Sequence, residues 1–485
     1  MSLCLRAILS TGLLLLLLLP LSVSSAEKPD ALTYTQALQK VIDTYPTLDI
    51  ARLQVEQARQ EFNKVESTLG WALAAQGGLD RDLSLYGSPS DVADALASID
   101  RTLRSGDRVG VSGSYRYEDS TVAVSPLLPN PSENVRLNMF YRMLFGQGRG
   151  NPRYTQGIIA AEAGVLLQQA SELAVREQLA RQTQDLFFAA ASVRARLATA
   201  ESAVDRARRL KQYVTERLDI GLSEEKDILQ SDAQLQARLS DLRTLQVAWE
   251  QQRTTLNRLM GRPWDAEFRP VYTTSSNISS ENEPREALIQ EAEDYSPDLK
   301  INEARMKQSE ADLAVRRDDH KDKVDLVLSV GGQSSRGDNI AGNVDEQDLA
   351  GGLRLEYQRA LDKRGFDAGI YQAQLNLSIS REDARKVRDD LRYSVTGLLS
   401  ELDANRISLT AHERRLVSEK KKVDNAVERF RSGRETTDRL IQFENEMQVS
   451  RLALDEDRIA LQRRRTNLSI LLGRIWQSVE YDKGP

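Results

Sequence analysis

Few residues in this 485-residue chain have side chains that could catalyse a reaction or bind a metal. There are two histidines, His320 and His412, and one cysteine, Cys4. Neither histidine has a second metal ligand at a useful spacing, so both are expected to be solvated helix residues. Carboxylates are plentiful, but no pair of them stands on a rigid scaffold as a general acid and base. The sequence therefore predicts that the protein is not an enzyme and has no metal site and no cofactor.

Residues 146–150, with the sequence Gly-Gln-Gly-Arg-Gly, superficially resemble a phosphate-binding loop. The segment lacks the Gly-Lys-Ser/Thr ending of such loops, and it follows a segment with strand-like alternation. A turn from a strand into a helix is therefore the favoured interpretation, and phosphate binding is the alternative.

Residues 1–26 have the pattern of a secretory signal peptide. Arg6 is the only charged residue among them, residues 13–19 are seven consecutive leucines, and small residues precede a cleavage site after Ala26. Cleavage would remove Cys4, which excludes disulfides and cysteine-ligated metals in the exported chain. No later apolar run reaches the roughly 18–20 residues of a membrane helix, so no helical span is expected.

An internal repeat organises the rest of the chain. Residues 217–221 (Arg-Leu-Asp-Ile-Gly) return as residues 429–433 (Arg-Phe-Arg-Ser-Gly), and the same offset carries Trp264 onto Trp476. We therefore predict two structural repeats.

The predicted repeats cover residues 27–264 and 285–485. Residues 265–284 contain two prolines and several Ser, Thr and Asn residues, a composition typical of a linker.

Apolar residues in the second part of each repeat fall seven positions apart, over five or six heptads. This spacing predicts long coiled-coil helices over about 152–261 and 365–474. In the first repeat the series includes Leu179, Leu186, Val193, Ala200, Ala207, Val214, Trp249 and Leu256. In the second repeat it includes Val395, Leu402, Leu409, Val423, Phe430, Leu440, Leu454, Leu461 and Leu468.

Short segments of alternating apolar and polar residues interrupt the helices, within about 71–145 and about 324–359. Their length and period are typical of strands in a membrane β-barrel. We count one wall hairpin in each repeat, or four strands, which is too few to close a barrel because the smallest have about eight. Several copies must therefore combine. The helices on both sides of each hairpin must lie in one compartment, so each repeat needs an even number of spanning strands. A further candidate strand at 109–117 would make this number odd, and it is therefore expected in an extracellular extension.

These features together resemble the TolC-like outer-membrane efflux proteins. The resemblance rests on the signal peptide, the repeated helix–hairpin–helix pattern, Tyr45-Pro46 and Ser296-Pro297 opening the two repeats, and Leu-Phe-Gly at 144–146. It implies a mainly α fold with a membrane β-barrel contribution. As a homotrimer, such proteins form a twelve-stranded outer-membrane barrel on a twelve-helix periplasmic coiled-coil tunnel.

The resemblance also implies function and partners. It predicts an outer-membrane channel that serves as the passive exit duct of a tripartite efflux or type I secretion system. The implied partners are a periplasmic adaptor (membrane fusion) protein, an inner-membrane pump and outer-membrane lipid, with no nucleic acid. The alternative is a soluble periplasmic coiled-coil protein that tethers partners and transports nothing.

Two sets of site residues follow from the resemblance. Turns between the paired helices are expected to form a periplasmic tip that contacts the adaptor: Gly221, Leu222, Ser223, Gly433, Arg434 and Glu435. Next to the tip, a narrow aperture is expected at Asp227, Asp438, Arg439 and Gln442. The sequence has Arg439 and Gln442 where the family often has an acidic ring, and we expect Arg439 to contact Asp227 when the tip is closed.

Overall fold

The structure is a computed structural model that describes residues 30–82, 89–121, 125–221, 223–272 and 283–481. The predicted signal peptide, Leu222 and residues 273–282 of the predicted linker lie outside the described residues. The helices are α1 (Tyr34–Thr44), α2 (Pro46–Ser67), α3 (Pro152–Asp219), α4 (Glu225–Leu259), α5 (Arg285–Tyr295), α6 (Pro297–Asp319), α7 (Arg364–Arg431), α8 (Thr437–Leu471) and α9 (Ile475–Tyr481). The strands are β1 (Asp30–Leu32), β2 (Trp71–Asp82), β3 (Ser90–Thr102), β4 (Arg108–Ser120), β5 (Ser132–Leu144), β6 (Phe268–Pro270), β7 (Lys323–Asn339) and β8 (Gly342–Gln358).

Proline marks the start of three of the helices. Pro46, Pro152 and Pro297 occupy the first turn of α2, α3 and α6. N–H groups in the first turn have no partner within the helix, so proline, which lacks an N–H, costs no hydrogen bond there. The longest helices, α3 and α7, each have 68 residues, and at 1.5 Å per residue each extends about 100 Å. Each is followed, after a short turn, by a 35-residue helix that packs beside it.

The large sheet has six strands in the order β2-β3-β4-β5-β7-β8, and all neighbours are antiparallel. Residues 109–117, which were expected in a separate extension, instead belong to β4, which pairs with β3 and β5 of the large sheet along its length. The count of four strands per chain is wrong for the same reason. β3 was missed because its apolar positions are mostly alanines, Ala93, Ala95 and Ala97, which give a weak hydrophobic signal.

The helices form a layer that continues from the sheet. Next to the strands the packing order is α2-α3-α6-α7, and farther away it is α4-α3-α8-α7. The predicted coiled-coil seams are confirmed at many positions, because Leu179, Val214, Val395 and Leu402 are all buried. The largest apolar cluster joins α1, α3, α4, α8 and α9 around the fully buried Phe187.

Two other expectations need correction. Residues 265–284 are not a linker throughout, because Phe268–Pro270 form β6, which pairs in parallel with β1, and Phe268 is buried. By length and composition alone, α3 contains one 18-residue window apolar enough to cross a membrane, with a mean hydropathy of 1.3. The expectation that no later segment reaches this level was therefore too strong, although α3 packs on α2, α4, α6 and α8.

The favoured interpretation of residues 146–150 is confirmed, because they turn from β5 into α3. The Gly148 N–H donates to the buried carboxylate of Asp318 at 2.8 Å, and the Gln147 N–H donates to the Asp322 carbonyl at 2.9 Å. A Cβ at Gly146 would lie only 2.0 Å from that same carbonyl. The glycines thus allow the β5–α3 junction to fit closely against the α6–β7 junction.

Candidate functional site

The turns after α3 and α7 lie at the end of the helical layer far from the sheet. Gly221 and Gly433 adopt φ values of 72° and 74°, a left-handed conformation that glycine accepts without a steric penalty. The Arg434 N–H donates to the Arg429 carbonyl at 2.8 Å, which satisfies a carbonyl at the end of α7. Ser223 is half-buried beside the first turn, whereas Leu222 lies outside the described residues.

The two turns are in contact with each other. Arg217 Nη1, near the end of α3, donates to the Phe430 carbonyl at 2.9 Å, and its guanidinium lies 5.6 Å from the centre of the Phe430 ring. The rings of Tyr213 and Phe430 are 5.5 Å apart. Phe430, Val214 and Leu440 are buried in one small apolar cluster. The structure therefore brings the two predicted tip turns together at one end of the molecule.

Asp227 and Arg439 do not form the contact expected from the sequence. The Asp227 carboxylate accepts from the Glu224 N–H at 3.2 Å, as part of the N-terminal cap of α4. Arg439 instead lies 3.7 Å from Glu435, the residue one helical turn earlier, and its guanidinium is 5.6 Å from the Phe443 ring. Glu435 also lies 3.7 Å from Arg429, so it joins the end of α7 to the start of α8. Asp227 and Arg439 therefore each contact a residue of their own repeat instead of each other.

Asp438 and Gln442 have other partners. Asp438 accepts a hydrogen bond from Gln230, which directly links α8 to α4 at the tip. Gln442 donates to Glu446 at 3.0 Å, and Glu446 also contacts Lys422 on α7. Of the four predicted aperture residues, only Asp438 therefore joins the two repeats, through a partner that was not predicted.

Two lysines near the tip form ion pairs that were not predicted, because charged residues on long helices are usually solvated. Lys422, within a run of three lysines, contacts both Glu419 and Glu446, and its ammonium lies 4.9 Å from the Phe443 ring. Lys211 on α3 lies 2.6 Å from Asp232 on α4. Hydrogen bonding to Lys211 lowers the pKa of the Asp232 carboxyl. The Lys422–Glu446 pair joins α7 to α8, and the Lys211–Asp232 pair joins α3 to α4.

The Glu446 contact predicts a pH dependence. Hydrogen bonds from Lys422 and Gln442 hold the pKa of the Glu446 carboxyl below its ordinary value of 4.5. Because the folded pKa is lowered, ionised Glu446 stabilises the protein at neutral pH, and this contribution is lost as the pH falls through the folded pKa. We expect Glu446→Gln to lower the thermal midpoint of the helices at about pH 7, and we expect this difference to shrink as the pH is lowered below 4.5. Circular dichroism of both proteins over a series of pH values measures this, and a difference that does not change with pH would contradict it.

Both histidines are partly exposed, and each also makes a contact that was not predicted. His412 Nδ1 on α7 lies 2.7 Å from Asp457 on α8, and the Ser408 hydroxyl donates to the same carboxylate at 2.7 Å. His320 Nε2 lies 3.2 Å from Asp367 at the start of α7. Each histidine thus contacts a carboxylate of another helix, a pairing that sequence spacing does not reveal.

Comparison with known proteins shows similarity in structure but not in sequence. The sequence matches no protein-family profile and no curated protein. The structure is similar to the outer-membrane channel OprN, with a TM-score of 0.66, 18% identity, and coverage of 91% of this chain and 89% of that one. It is also similar to the outer-membrane protein VceC from Vibrio cholerae, with a TM-score of 0.65, 14% identity, and coverage of 91% and 95%.

A third similar structure is a membrane protein from Pseudomonas aeruginosa, with a TM-score of 0.68, 14% identity, and coverage of 92% and 91%. These matches extend over nearly the whole of every chain compared. At identities this low, the structural similarity establishes a shared fold. This chain therefore has the fold of these outer-membrane proteins, in agreement with its resemblance to the TolC-like family.

Proposed function

We propose that the protein is an outer-membrane channel, the passive exit duct of a tripartite efflux or type I secretion system, and not an enzyme. The observation that carries this proposal is a sheet with one apolar face that continues into a layer of long helices. In this proposal the sheet crosses the outer membrane, and the helices extend into the periplasm.

The two faces of the sheet differ in polarity. One face carries apolar residues on neighbouring strands at matching positions, such as Leu73, Ile99, Met139 and Val330, and these are exposed in the single chain. The opposite face carries charged groups, including Arg142, which contacts Asp325 at 3.0 Å and Glu356 at 2.8 Å. An apolar outer face and a polar inner face suit a barrel with lipid outside and water inside.

A second argument supports assembly into a homotrimer. Among the described residues, β2 and β8 each pair on one side only, and a sheet in lipid cannot leave its edges unpaired. The two outer helices of the layer near the sheet also expose apolar side chains: Ile50 and Leu53 on α2, and Tyr371, Leu375 and Ile379 on α7. Contact between the α2 side of one copy and the α7 side of the next would bury them in a closed ring.

The channel and the tether make different predictions for fractionation. A channel should remain with the outer membrane after carbonate extraction and, once purified, should conduct ions across a planar lipid bilayer. A soluble tether should be released by carbonate and leave the bilayer impermeable. The second result would contradict the proposed function.

We infer that the tip formed by the turns near Gly221 and Gly433 contacts the periplasmic adaptor, which in turn joins an inner-membrane pump. The aperture would lie at Asp227, Asp438, Arg439 and Gln442, and it would open when α7 and α8 shift relative to α3 and α4. If the open and closed packings of these helices differ by only a few kcal/mol in free energy, adaptor binding could change their populations.

The Gln230–Asp438 hydrogen bond gives a test of this gate. We expect Asp438→Ala to raise the open fraction in planar bilayers, because it removes a link between α4 and α8. If the closed state loses about 1 kcal/mol of stabilisation in each of three copies, the ratio of open to closed channels would change by up to roughly 100-fold.

The matched control is Asp383→Ala, which removes an exposed carboxylate on α7 more than 40 residues from the tip. The control should conduct like the wild type. Equal conductance of Asp438→Ala and the wild type would contradict a gate at this position. The same measurement on Arg439→Ala tests whether the Glu435 contact also holds the tip closed.

A further inference from the structure

The hairpin formed by β3 and β4 has the features of a barrel wall. Each of the two strands has 13 residues and pairs along its length with a neighbour on both sides. β2 and β5, which flank the hairpin, have 12 and 13 residues. The hairpin therefore lies between β2 and β5 as part of one continuous sheet.

The apolar face continues across the middle of the hairpin, from Ile99 to Ala93 on β3 and from Val109 to Tyr117 on β4. At one level of the sheet the ladder aligns Ala75, Ala97, Gly113 and Leu137, so β2, β3 and β4 present small apolar residues next to the larger Leu137 of β5. From Trp71 to Leu79 the apolar positions of β2 cover about 26 Å of strand, comparable with the apolar band of about 25 Å in membrane barrels.

Aromatic residues lie at both ends of this band. Trp71, Tyr141 and Tyr357 lie towards the helices, and Tyr115 and Tyr117 of β4 lie towards the opposite end. Membrane barrels have such aromatic girdles at both interfaces. β4 thus supplies the second girdle in this chain's sheet.

The polar face also continues across the hairpin. Arg108 on β4 lies 2.7 Å from Asp100 on β3. Arg142 on the next strand, directly opposite Arg108 in the ladder, contacts Asp325 on β7 and Glu356 on β8. β3 and β4 therefore contribute to one belt of charges that extends across the face.

The turn of the hairpin is fixed at the end of the sheet that joins the helices. The buried Asp107 carboxylate accepts from the Leu144 N–H at 3.0 Å and from the Tyr141 hydroxyl at 2.9 Å. The Gly150 N–H donates to the Ser105 carbonyl at 2.8 Å, and a Cβ at Gly106 would lie 2.2 Å from the Gly148 carbonyl oxygen. A hairpin in an extracellular extension would have no contact with this junction.

We propose that every copy contributes six strands to the wall, so that three copies close a barrel of eighteen strands, β8 of each copy pairing with β2 of the next. The number of copies rests on the proposed homotrimer. With strands about 4.8 Å apart and tilted about 40°, the backbone radius is about 18 Å, compared with about 12 Å for twelve strands. The added strands enlarge the barrel without adding helices to the tunnel, because the turn at 103–107 adjoins no helix whereas β2, β5, β7 and β8 each adjoin one.

Spin labels test whether the hairpin lies in the wall. On a Cys4→Ser background, labels are attached to Ala97→Cys and Leu137→Cys, which share one level of the apolar face. The matched controls are Ser98→Cys and Asn138→Cys on the polar face. Collisions with oxygen, which concentrates in lipid, are compared with collisions with a water-soluble nickel complex in protein reconstituted into phosphatidylcholine vesicles.

The expected result is that the oxygen-to-nickel collision ratio is higher at Ala97 than at Ser98 by the same factor as at Leu137 relative to Asn138. A water-exposed label at Ala97 with a lipid-exposed label at Leu137 would overturn the proposal and leave the channel intact. Water exposure at both would overturn the proposed function as well. Ala95→Cys, also exposed on the apolar face, replaces Ala97→Cys if that variant does not fold.

Light scattering and imaging of the purified full chain test the strand number. Three copies with eighteen strands in cross-section are expected. Two copies, or twelve strands, would overturn the proposal.

Discussion

Replacing Leu137 with arginine is expected to destabilise the membrane-inserted protein by about 2–4 kcal/mol per copy. Leu137 lies on the apolar face of β5 and is 57% exposed in the single chain, so in the proposed barrel its side chain contacts lipid. A guanidinium near the middle of the apolar band would be removed from water without a partner. Urea unfolding in lipid vesicles, followed by tryptophan fluorescence, measures the change.

The control for this prediction is Asn138→Arg, one residue along the same strand. Successive residues of a strand point to opposite faces, so this arginine would enter the polar side, which already carries Arg136 and Arg142. Its effect on the free energy of unfolding should be small. Similar losses in both variants would contradict the assignment of the two faces, and with it the membrane barrel.

Replacing Phe187 with alanine is expected to lower the free energy of unfolding of the helical part by about 3–5 kcal/mol. Phe187 is 0% exposed, its ring lies 5.3 Å from that of Phe188 in an edge-to-face arrangement, and Tyr34 packs against it at 6.1 Å. The substitution leaves a cavity in the largest apolar cluster, which long, rigid helices cannot easily close. Guanidinium unfolding followed by helix circular dichroism is the measurement.

Gln178→Ala is the matched control for Phe187→Ala. Gln178 lies on the same helix, α3, and is exposed. Removing an exposed side chain without a special role usually changes stability by less than about 0.5 kcal/mol. An equally small effect of Phe187→Ala would show that this cluster contributes little to the stability of the helices.

The long helices could be predicted from the sequence because a seven-residue apolar spacing is maintained over many turns. The glycine turns could be predicted because Gly221 and Gly433 recur at one offset. β3 could not be predicted, because alternating alanines and polar residues give little periodic contrast in hydrophobicity. Because β3 was missed, its partner β4 was placed wrongly. β6 was missed because three residues with a proline resemble a linker, and only pairing with distant β1 makes them a strand.

The candidate site was less predictable than the fold. The turns were placed correctly at one end, but the partners of the charged residues depend on rotations of the helices that spacing alone does not fix. Arg439 contacts Glu435, which lies in the turn just before α8 and only four positions earlier in the chain. The Gln230–Asp438 bond joins residues 208 positions apart, and no local pattern indicates it.

The packing of α1 against α9 has a consequence for the order in which the protein can complete its structure. Leu38 and Val41 of α1 belong to the same buried cluster as Ile475 and Val479 of α9, at the other end of the chain. During synthesis α1 is made before the long helices α3, α4, α7 and α8, whereas α9 is made after them. A product truncated before α9 would therefore leave part of the apolar face of α1 uncovered, although α3 covers the rest, and proteases could recognise that exposed part before the protein joins an assembly.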